Sequence, residues 1–538
     1  MTEREEHPAG ERTEPPETEA KLVAAIDIGS NSVRMEIGEV LPDGHLEILE
    51  RVQRALRLGQ DTFRRGRLGR RAMRAAIGIL RDFQKLLDFY GVQRTRAVAT
   101  SAVREAANAD TFLDRVLMAT GLDVEIIDTT EESRLTVSAV RQGGDDFTGK
   151  RGNALIADVG GGSTLLTILQ KGQITVSQSL RLGAIRLSES MLTGNEPPQA
   201  AAELIRQQVQ NTVHAVQGAL PLKSIRAFIA VGGDARHAGD EIGREDNSHR
   251  VIPRDEFDDF VERCESMTSE ELMRRDGVSM ALAETLRPAL LVYRELLATT
   301  RATEVTVSEA SMRDGLLLDL ARGMTGQEDE SLTSGAIHSA LGVARKYHVD
   351  MDHARAVAEM AVQLFDQLQT EHGLDPRHRL LLRIAALLHE VGGFVSGRAH
   401  HKHSYYLIAN AEIFGLKRGE RQIVAHVARY HRHGLPKPSH LEFIALPRED
   451  RMIVSKLAAL LRIADALDRT HGQRGRTFTC VRTDEELVIR IHGVADLTLE
   501  RRAMVEKADL FEDLTGLSVR IEEAPAVQSG RRRAEPMT

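Results

Sequence analysis

The chain has 538 residues, enough for three or four domains, and 42% of them are hydrophobic, enough to build cores. A net charge of −8 with 28% charged residues names no partner, and 4% aromatic residues with no Trp argue against a nucleic-acid interface. Two distant cysteines, Cys264 and Cys480, exclude a disulfide framework, and the lack of a membrane-length apolar run or apolar leader predicts a cytoplasmic protein with no membrane partner.

Residues 1–20 are acidic and Pro-rich and read as a disordered tail. A first α/β unit is expected over 21–145. Leu22–Ile28 and Val33–Val40 read as paired strands around the turn Asp27-Ile28-Gly29-Ser30-Asn31-Ser32. Nine arginines follow between Arg51 and Arg74, with Asp61 the only acid among them. Such density suits a long polyanion, and equally a solvated helix face. Met73, Ile77, Leu80 and Leu87 predict a helix over Arg70–Tyr90, with Gly91 placed to end it. A strand over Arg96–Thr100, a helix over Asp110–Thr120 and a strand over Val124–Ile127 complete the alternation. Arg104 follows a strand, where a guanidinium can fork onto phosphate oxygens, though surface arginines also sit there. Glu131 and Glu132 open a helix capped by Thr129 or Thr130. Acids there ordinarily complement the helix dipole, but one aimed at phosphate could deprotonate a water.

A second unit is expected over 146–325. Asn153–Val159 and Leu165–Lys171 repeat the opening around Asp158-Val159-Gly160-Gly161-Gly162-Ser163-Thr164. The two aspartates align, as do Ser32 and Ser163 five positions on. Glycines bring main-chain N–H groups close to an anion, hydroxyls add donors, and the carboxylate can hold a metal or a water. Two such turns predict a duplicated fold closing on one phosphate-bearing ligand. A helix over about Ala200–Ala219, strands at Ala227–Val231 and Glu304–Val307, and a helix at Gly315–Gly323 follow.

Gly326–Ser334 reads as a linker, and helical patterns fill 335–470. Fifteen of the 20 histidines lie beyond residue 330. His389-Glu390 ends the apolar helix Arg379–Leu388, but Gly393 breaks the HExxH zinc pattern. His353, His400, His401, His403, His426, His431 and Asp465 could join it around a metal, or mark a decayed site. A small α/β segment is expected over 476–524, with strands Thr477–Arg482, Glu486–His492 and Ser518–Glu522 and one helix over Glu500–Thr515. Residues 525–538 read as a second tail.

As an ordered set these segments resemble the exopolyphosphatase/guanosine pentaphosphate phosphohydrolase (Ppx/GppA) family from about residue 22 to about 523. The two Asp-x-Gly turns match its phosphate loops. Ala99–Arg104 with Asn108 matches its arginine motif, and Glu131-Glu132-Ser133-Arg134 its paired-glutamate motif. Leu182–Leu187 matches a family strand, and Leu388–Gly392, His400–Ser404 and Arg429–Arg432 match its C-terminal helical domain. The resemblance implies an α/β protein with a duplicated ribonuclease-H-like core of the actin/Hsp70/sugar-kinase superfold, plus an HD-like helical domain.

It also implies Mg2+-dependent water attack that releases terminal orthophosphate from inorganic polyphosphate, with pppGpp as alternative substrate. Glu132 becomes the general base, and Asp158 positions Mg2+ or water. Arg104, Asp27, Gly29, Ser30, Asn31, Ser32, Gly160, Gly161, Gly162, Ser163 and Thr164 hold the phosphate. Arg64, Arg65 and Arg67 become a polyphosphate track. A second divalent metal is implied at His353, His389, Glu390 and Asp465, and a homodimer is expected. The family commonly has a glutamate directly after the second loop's Ser-Thr, where this chain has Leu165. A weakly catalytic polyphosphate or alarmone sensor therefore remains an alternative. A sugar or acetate kinase of the same superfold fits less well, given Glu131–Arg134 and the helical C-terminal part.

Overall fold

The computed structural model describes residues 21–143, 152–191, 197–218, 220–246, 249–325, 330–432, 434–472, 477–494 and 496–525. The two expected tails, 1–20 and all but Pro525 of 525–538, lie outside these. The chain forms two compact units, one running to Ile126 and taking back Arg313–Glu328, the other comprising the rest.

In the first unit, β1 (Lys21–Ile28), β2 (Ser32–Val40), β3 (Leu46–Ala55), β4 (Arg94–Ala99) and β5 (Val124–Ile126) form one sheet in the order β3-β2-β1-β4-β5. β1 pairs antiparallel with β2 and parallel with β4. The edge strand β3 has no counterpart among the sequence expectations, because its charged residues merge with the arginine run. The helix Arg70–Tyr90 buries Met73, Ala76, Ile77, Leu80, Phe83 and Leu87 on one face. These pack with Ile26, Val33, Met35 and Phe112 into one core. The helix stops at Gly91, whose φ of 68° is a left-handed conformation that side chains resist.

The second unit repeats this order and extends it. β6 (Asn153–Val159), β7 (Thr164–Gln170), β8 (Gln173–Leu180), β9 (Ile225–Val231), β10 (Arg244–Asp246), β11 (His249–Pro253) and β12 (Glu304–Ser308) run β10-β11-β12-β9-β6-β7-β8. Read outward from β6, the neighbours repeat those of β1: antiparallel β7 and parallel β9. This is the duplicated ribonuclease-H-like order. The helix Thr129–Gln142, expected within the first unit, belongs to the second: its Val137 and Val140 are buried against Ile156 and Ile229. The unit boundary thus falls at Ile126 rather than at 145.

Beyond it, helices Glu330–Lys346, Met351–Gln367, Pro376–Leu388, His400–Ala409, Arg418–Arg429 and Arg448–Leu467 share a core. Glu330 already begins a helix, so the expected linker is helical at its end. β13 (Phe478–Arg482), β14 (Glu486–His492) and β15 (Ser518–Ala524) add a small sheet whose Leu487, Ile489 and Ile491 join that core. The single helix expected over 500–515 is two, Thr498–Lys507 and Asp509–Thr515. The break lets Asp509 reach the buried Arg462 at 2.5 Å. Phe414, between two of the long helices, is buried in the cluster of Val137, Val140, Ile174 and Ile229. No helix among the described residues is long and apolar enough to cross a membrane.

Candidate active site

Both Asp-x-Gly turns fold alike. Gly29 N–H donates to Ser32 O at 3.0 Å, and Gly160 N–H to Ser163 O at 2.9 Å. The repeat visible in sequence is thus a repeat in backbone geometry.

In the first unit, Asp27 ends β1 and is buried. Burial pushes its carboxyl above the usual range, while the guanidinium groups of Arg313 and Arg34 pull it back. Arg313 Nη1 lies 3.6 Å from Asp27 Oδ2 and its Nε donates to Glu36 Oε1 at 2.8 Å. Asp27 Oδ1 has no hydrogen-bond partner among the described residues. Ser30 Oγ meets Ser101 Oγ at 3.2 Å, which ties the first loop to the segment ending in Arg104. Backbone bonds carry the same cluster into the arginine run. Gly59 N–H donates to Ser30 O, and Ala107 N–H to Gly66 O, both at 2.9 Å. Asn108 clasps Leu68 through both its amide groups, at 2.8 and 3.1 Å. Exposed Arg64, Arg65 and Arg67 are therefore held on the same loop cluster as Ser30 and Arg104.

In the second unit, the helix Thr129–Gln142 is capped by Asp128, not by Thr129 or Thr130: the Asp128 carboxylate accepts from Glu131 N–H at 3.0 Å. Glu131 holds Arg134 with both oxygens, at 2.7 and 2.9 Å. That pairing engages Glu131 in an ion pair within its own helix. Thr136, one turn after Glu132 on the same helix face, donates to Asp158 Oδ2 at 3.0 Å. Glu132 thereby stands on the face turned to the second loop.

Gly160, Gly161, Gly162 and Ser163 form that loop, and Thr164 opens β7 directly after it. Its buried hydroxyl donates to Leu182 O at 2.7 Å and buttresses the loop from behind. Leu165 lies directly across from Asp158 in the β6–β7 register and is buried. Opposite residues of antiparallel strands share a face. An apolar side chain thus stands beside Asp158 where the resemblance led one to look for a glutamate.

The profile of the Ppx/GppA phosphatase family matches residues 40–323, more than half of the chain, and that of the family's domain III matches residues 337–512. The chain belongs to the Ppx/GppA phosphatase family. An exopolyphosphatase from Cytophaga hutchinsonii is 23% identical, with a TM-score of 0.52 over 56% of this chain and 98% of that one. An exopolyphosphatase-like protein is 24% identical, with a TM-score of 0.51 over 57% and 99%. A family member from Aquifex aeolicus is 24% identical over 58% and 100%, with a TM-score of 0.47. The first two bear out the duplicated fold.

The segment resembling a family strand, Leu182–Leu187, is instead the entry to a helix, Ala184–Met191. Its N–H groups turn to the second Asp-x-Gly loop rather than to a neighbouring strand. Ala184 N–H donates to Gly160 O and Arg186 N–H to Gly161 O, both at 3.0 Å. Arg186 Nε adds a 2.6 Å bond to Gly162 O. A Cβ on Gly183 would lie 2.2 Å from the backbone carbon of Gly162. Neither chain can yield without moving the loop. Gly183→Ala is therefore expected to lower phosphate release by about 100-fold, the cost of a misplacement near 1 Å. A steady-state assay beside a thermal melt checks this, and an unchanged rate would mean that the loop tolerates the shift.

The structure also gathers the C-terminal candidates. Ligand atoms of His353, His389 and Glu390 lie within 4.8 Å of one another, as do those of His389, His431 and Asp465. Burial opposes charge on His353, but the carboxylates of Asp465 and Asp468 beside it overcome this and raise the imidazole to about 9. Burial keeps His389 and His431 below their ordinary value. His426 does not join. It packs among Tyr405, Tyr430 and Phe443, and burial pushes it down to about 4.

Sequence reading missed Arg313, Thr136, Gly183, Arg186 and Lys507. Only Gly183 and Arg186 stood within a recognised motif. The others act across long chain separations that spacing does not reveal. Arg421 is another: from the helical region it reaches Asp128, the cap of the Glu132 helix, at 3.1 Å.

Proposed function

We propose that this phosphatase is an exopolyphosphatase, releasing terminal orthophosphate from inorganic polyphosphate. The observation that carries this reading is the fastening of exposed Arg64, Arg65 and Arg67 to the loop cluster of Ser30 and Arg104. A basic track leading from a terminal-phosphate cradle suits a long polyanion better than a nucleotide.

Each unit brings its own phosphate donors: Arg104, Ser30, Asn31 and Ser32 in the first, and Gly161, Gly162 and Ser163 in the second. Glu132 takes a proton from the attacking water as its oxygen bonds to phosphorus, and the bridging anhydride P–O bond breaks. The electron pair leaves on the shortened chain. Guanidinium and loop N–H groups stabilise the charge that develops on the phosphoryl oxygens. The hard carboxylate oxygens of Asp158, at the mouth of the second loop, are of the kind that would hold Mg2+. When bound, Mg2+ would supply Lewis-acid charge neutralisation.

Leu165 beside Asp158 favours a second reading, a slow enzyme that serves as a polyphosphate or alarmone sensor. Phosphate release with Mg2+ from long-chain polyphosphate and from pppGpp, measured side by side, separates these. Faster release from polyphosphate is expected. A faster pppGpp reaction would reassign the substrate, and tight binding without release would favour the sensor. Replacing Arg64, Arg65 and Arg67 together by Gln is expected to weaken long chains more than short ones. It should also flatten the salt dependence of log affinity by about 2–3. Equal losses at all chain lengths would remove the track.

A further inference from the structure

The geometry points to a transition-metal centre in the helical region, held by His353, His389, His431 and Asp465 with His400 at its mouth. It is separate from the phosphatase loops and does not depend on the polyphosphate reading.

Three observations carry it. First, Nε2 of His353 and Nε2 of His389 are buried with no hydrogen-bond partner. A buried polar atom left unsatisfied costs about 1–3 kcal/mol, and two of them around one point are explained by a shared cation.

Second, each imidazole is oriented from behind. His353 Nδ1 meets Asp468 Oδ2 at 2.7 Å, His389 Nδ1 meets Ala386 O at 2.7 Å, and His431 Nδ1 meets Ala428 O at 2.6 Å. A carbonyl oxygen only accepts, so Nδ1 of His389 and of His431 carries the proton. The Nε2 lone pair is left for a metal, the arrangement metal-bound histidines ordinarily show.

Third, the spacings suit one coordination sphere. His353 Nε2 lies 3.6 Å from Asp465 Oδ1, and His400 Nε2 lies 3.2 Å from His431 Nε2. Ligands on a tetrahedral metal with bonds near 2.1 Å sit about 3.4 Å apart.

The frame is rigid. Fully buried Arg462 donates to the carbonyls of Lys507 at 2.9 Å and Tyr430 at 3.3 Å, fixing the chain on two sides of the cluster. The Lys507 ammonium contacts Asp465 Oδ2 and leaves Oδ1 turned to His353. It is a cation that a metal would have to displace from Asp465. Imidazole-rich, mixed nitrogen and oxygen ligands select Mn, Fe, Co, Ni or Zn over Mg or Ca. The centre is not closed. A cavity of about 120 Å³ adjoins it, with Arg432, Arg469 and Lys507 in its wall. An open position flanked by basic groups takes water or a small oxyanion.

The test uses the full-length protein, loaded with Co2+ or Mn2+ in excess Mg2+, dialysed and measured by elemental analysis. About one transition metal per chain is expected. Asp465→Asn and His400→Ala, checked for folding by circular dichroism, should each weaken uptake at least tenfold, and Glu132→Gln should load normally. The Co2+ protein should absorb in the visible, and inorganic phosphate should shift that band. No uptake by the wild-type protein, or equal uptake by both cluster variants, would overturn the proposal and leave Lys507 as the resident cation. A band indifferent to phosphate would overturn the open position.

Discussion

Glu132→Gln is expected to lower phosphate release by about 10²–10⁴-fold while polyphosphate still binds. The amide keeps the shape and the first-turn position of the side chain but cannot accept the water's proton. Glu131 cannot take over, because Arg134 occupies both its oxygens at 2.7 and 2.9 Å. The comparison that isolates the role is Glu131→Gln. It breaks a buried ion pair and should lower stability more than it lowers the rate of the folded fraction. Turnover by Glu132→Gln at the wild-type rate, with binding intact, would remove Glu132 from the base role. Equilibrium binding of chain-length-defined polyphosphate and single-turnover release measure the two quantities separately.

The second large effect concerns the buried charges beneath the first loop. Arg313 returns from far along the chain to sit between Asp27 and Glu36, all nearly inaccessible to solvent. Arg313→Met keeps the volume and removes the cation the two carboxylates share, leaving Asp27 to Arg34 and Glu36 to the exposed Arg51 at 3.8 Å. A loss of about 3–5 kcal/mol is expected at neutral pH.

The pH dependence has a definite sign. Asp27 already titrates above 3.8 with the arginine present, and without it the folded-state value rises further. A carboxyl whose folded pKa exceeds its unfolded one costs stability when ionised and restores it as it protonates. The deficit should therefore be largest near neutrality and shrink as pH falls through the folded pKa of Asp27. Denaturant melts of both proteins from pH 7 downward check this. A deficit that grows on acidification would mean that Arg313 serves packing and not charge. The added substitution Glu36→Gln should recover part of the loss, which a double-mutant cycle reads directly.

Much of this was legible in the sequence because it is local. An Asp-x-Gly turn between two apolar runs announces both its strands and its chemistry within ten residues, and its second occurrence announces the duplication. The helix Arg70–Tyr90 was equally plain, since its buried positions recur at helical spacing and Gly91 closes it. What failed was non-local or ambiguous in period. The run Leu182–Leu187 reads as a strand from the family resemblance alone, yet its donors are drawn to the carbonyls of Gly160 and Gly161, which turns it into a helix start. β3 was hidden because an edge strand with one solvated side can be almost as charged as a loop. Asp128, not a threonine, caps the Glu132 helix, and its neighbour Arg421 lies 293 residues away. In the histidine-rich region the sequence proposed the residue types. Only the fold could separate His431, which joins the cluster, from His426, which is stacked among aromatic rings.

The burial of Phe414 beneath the helix that carries Glu132 has a consequence for how this chain can be divided. The residue comes from the C-terminal helices, yet it fills the space under Val137 and Val140. Burying a phenylalanine contributes roughly 1.5–3 kcal/mol. Cutting the chain after the α/β halves would uncover that apolar floor and remove the Arg421 brace together. The histidine-rich part thus contributes apolar support and one ion pair beneath the helix that carries Glu132. Lesions in it should surface as lost phosphatase activity even where no substrate is touched.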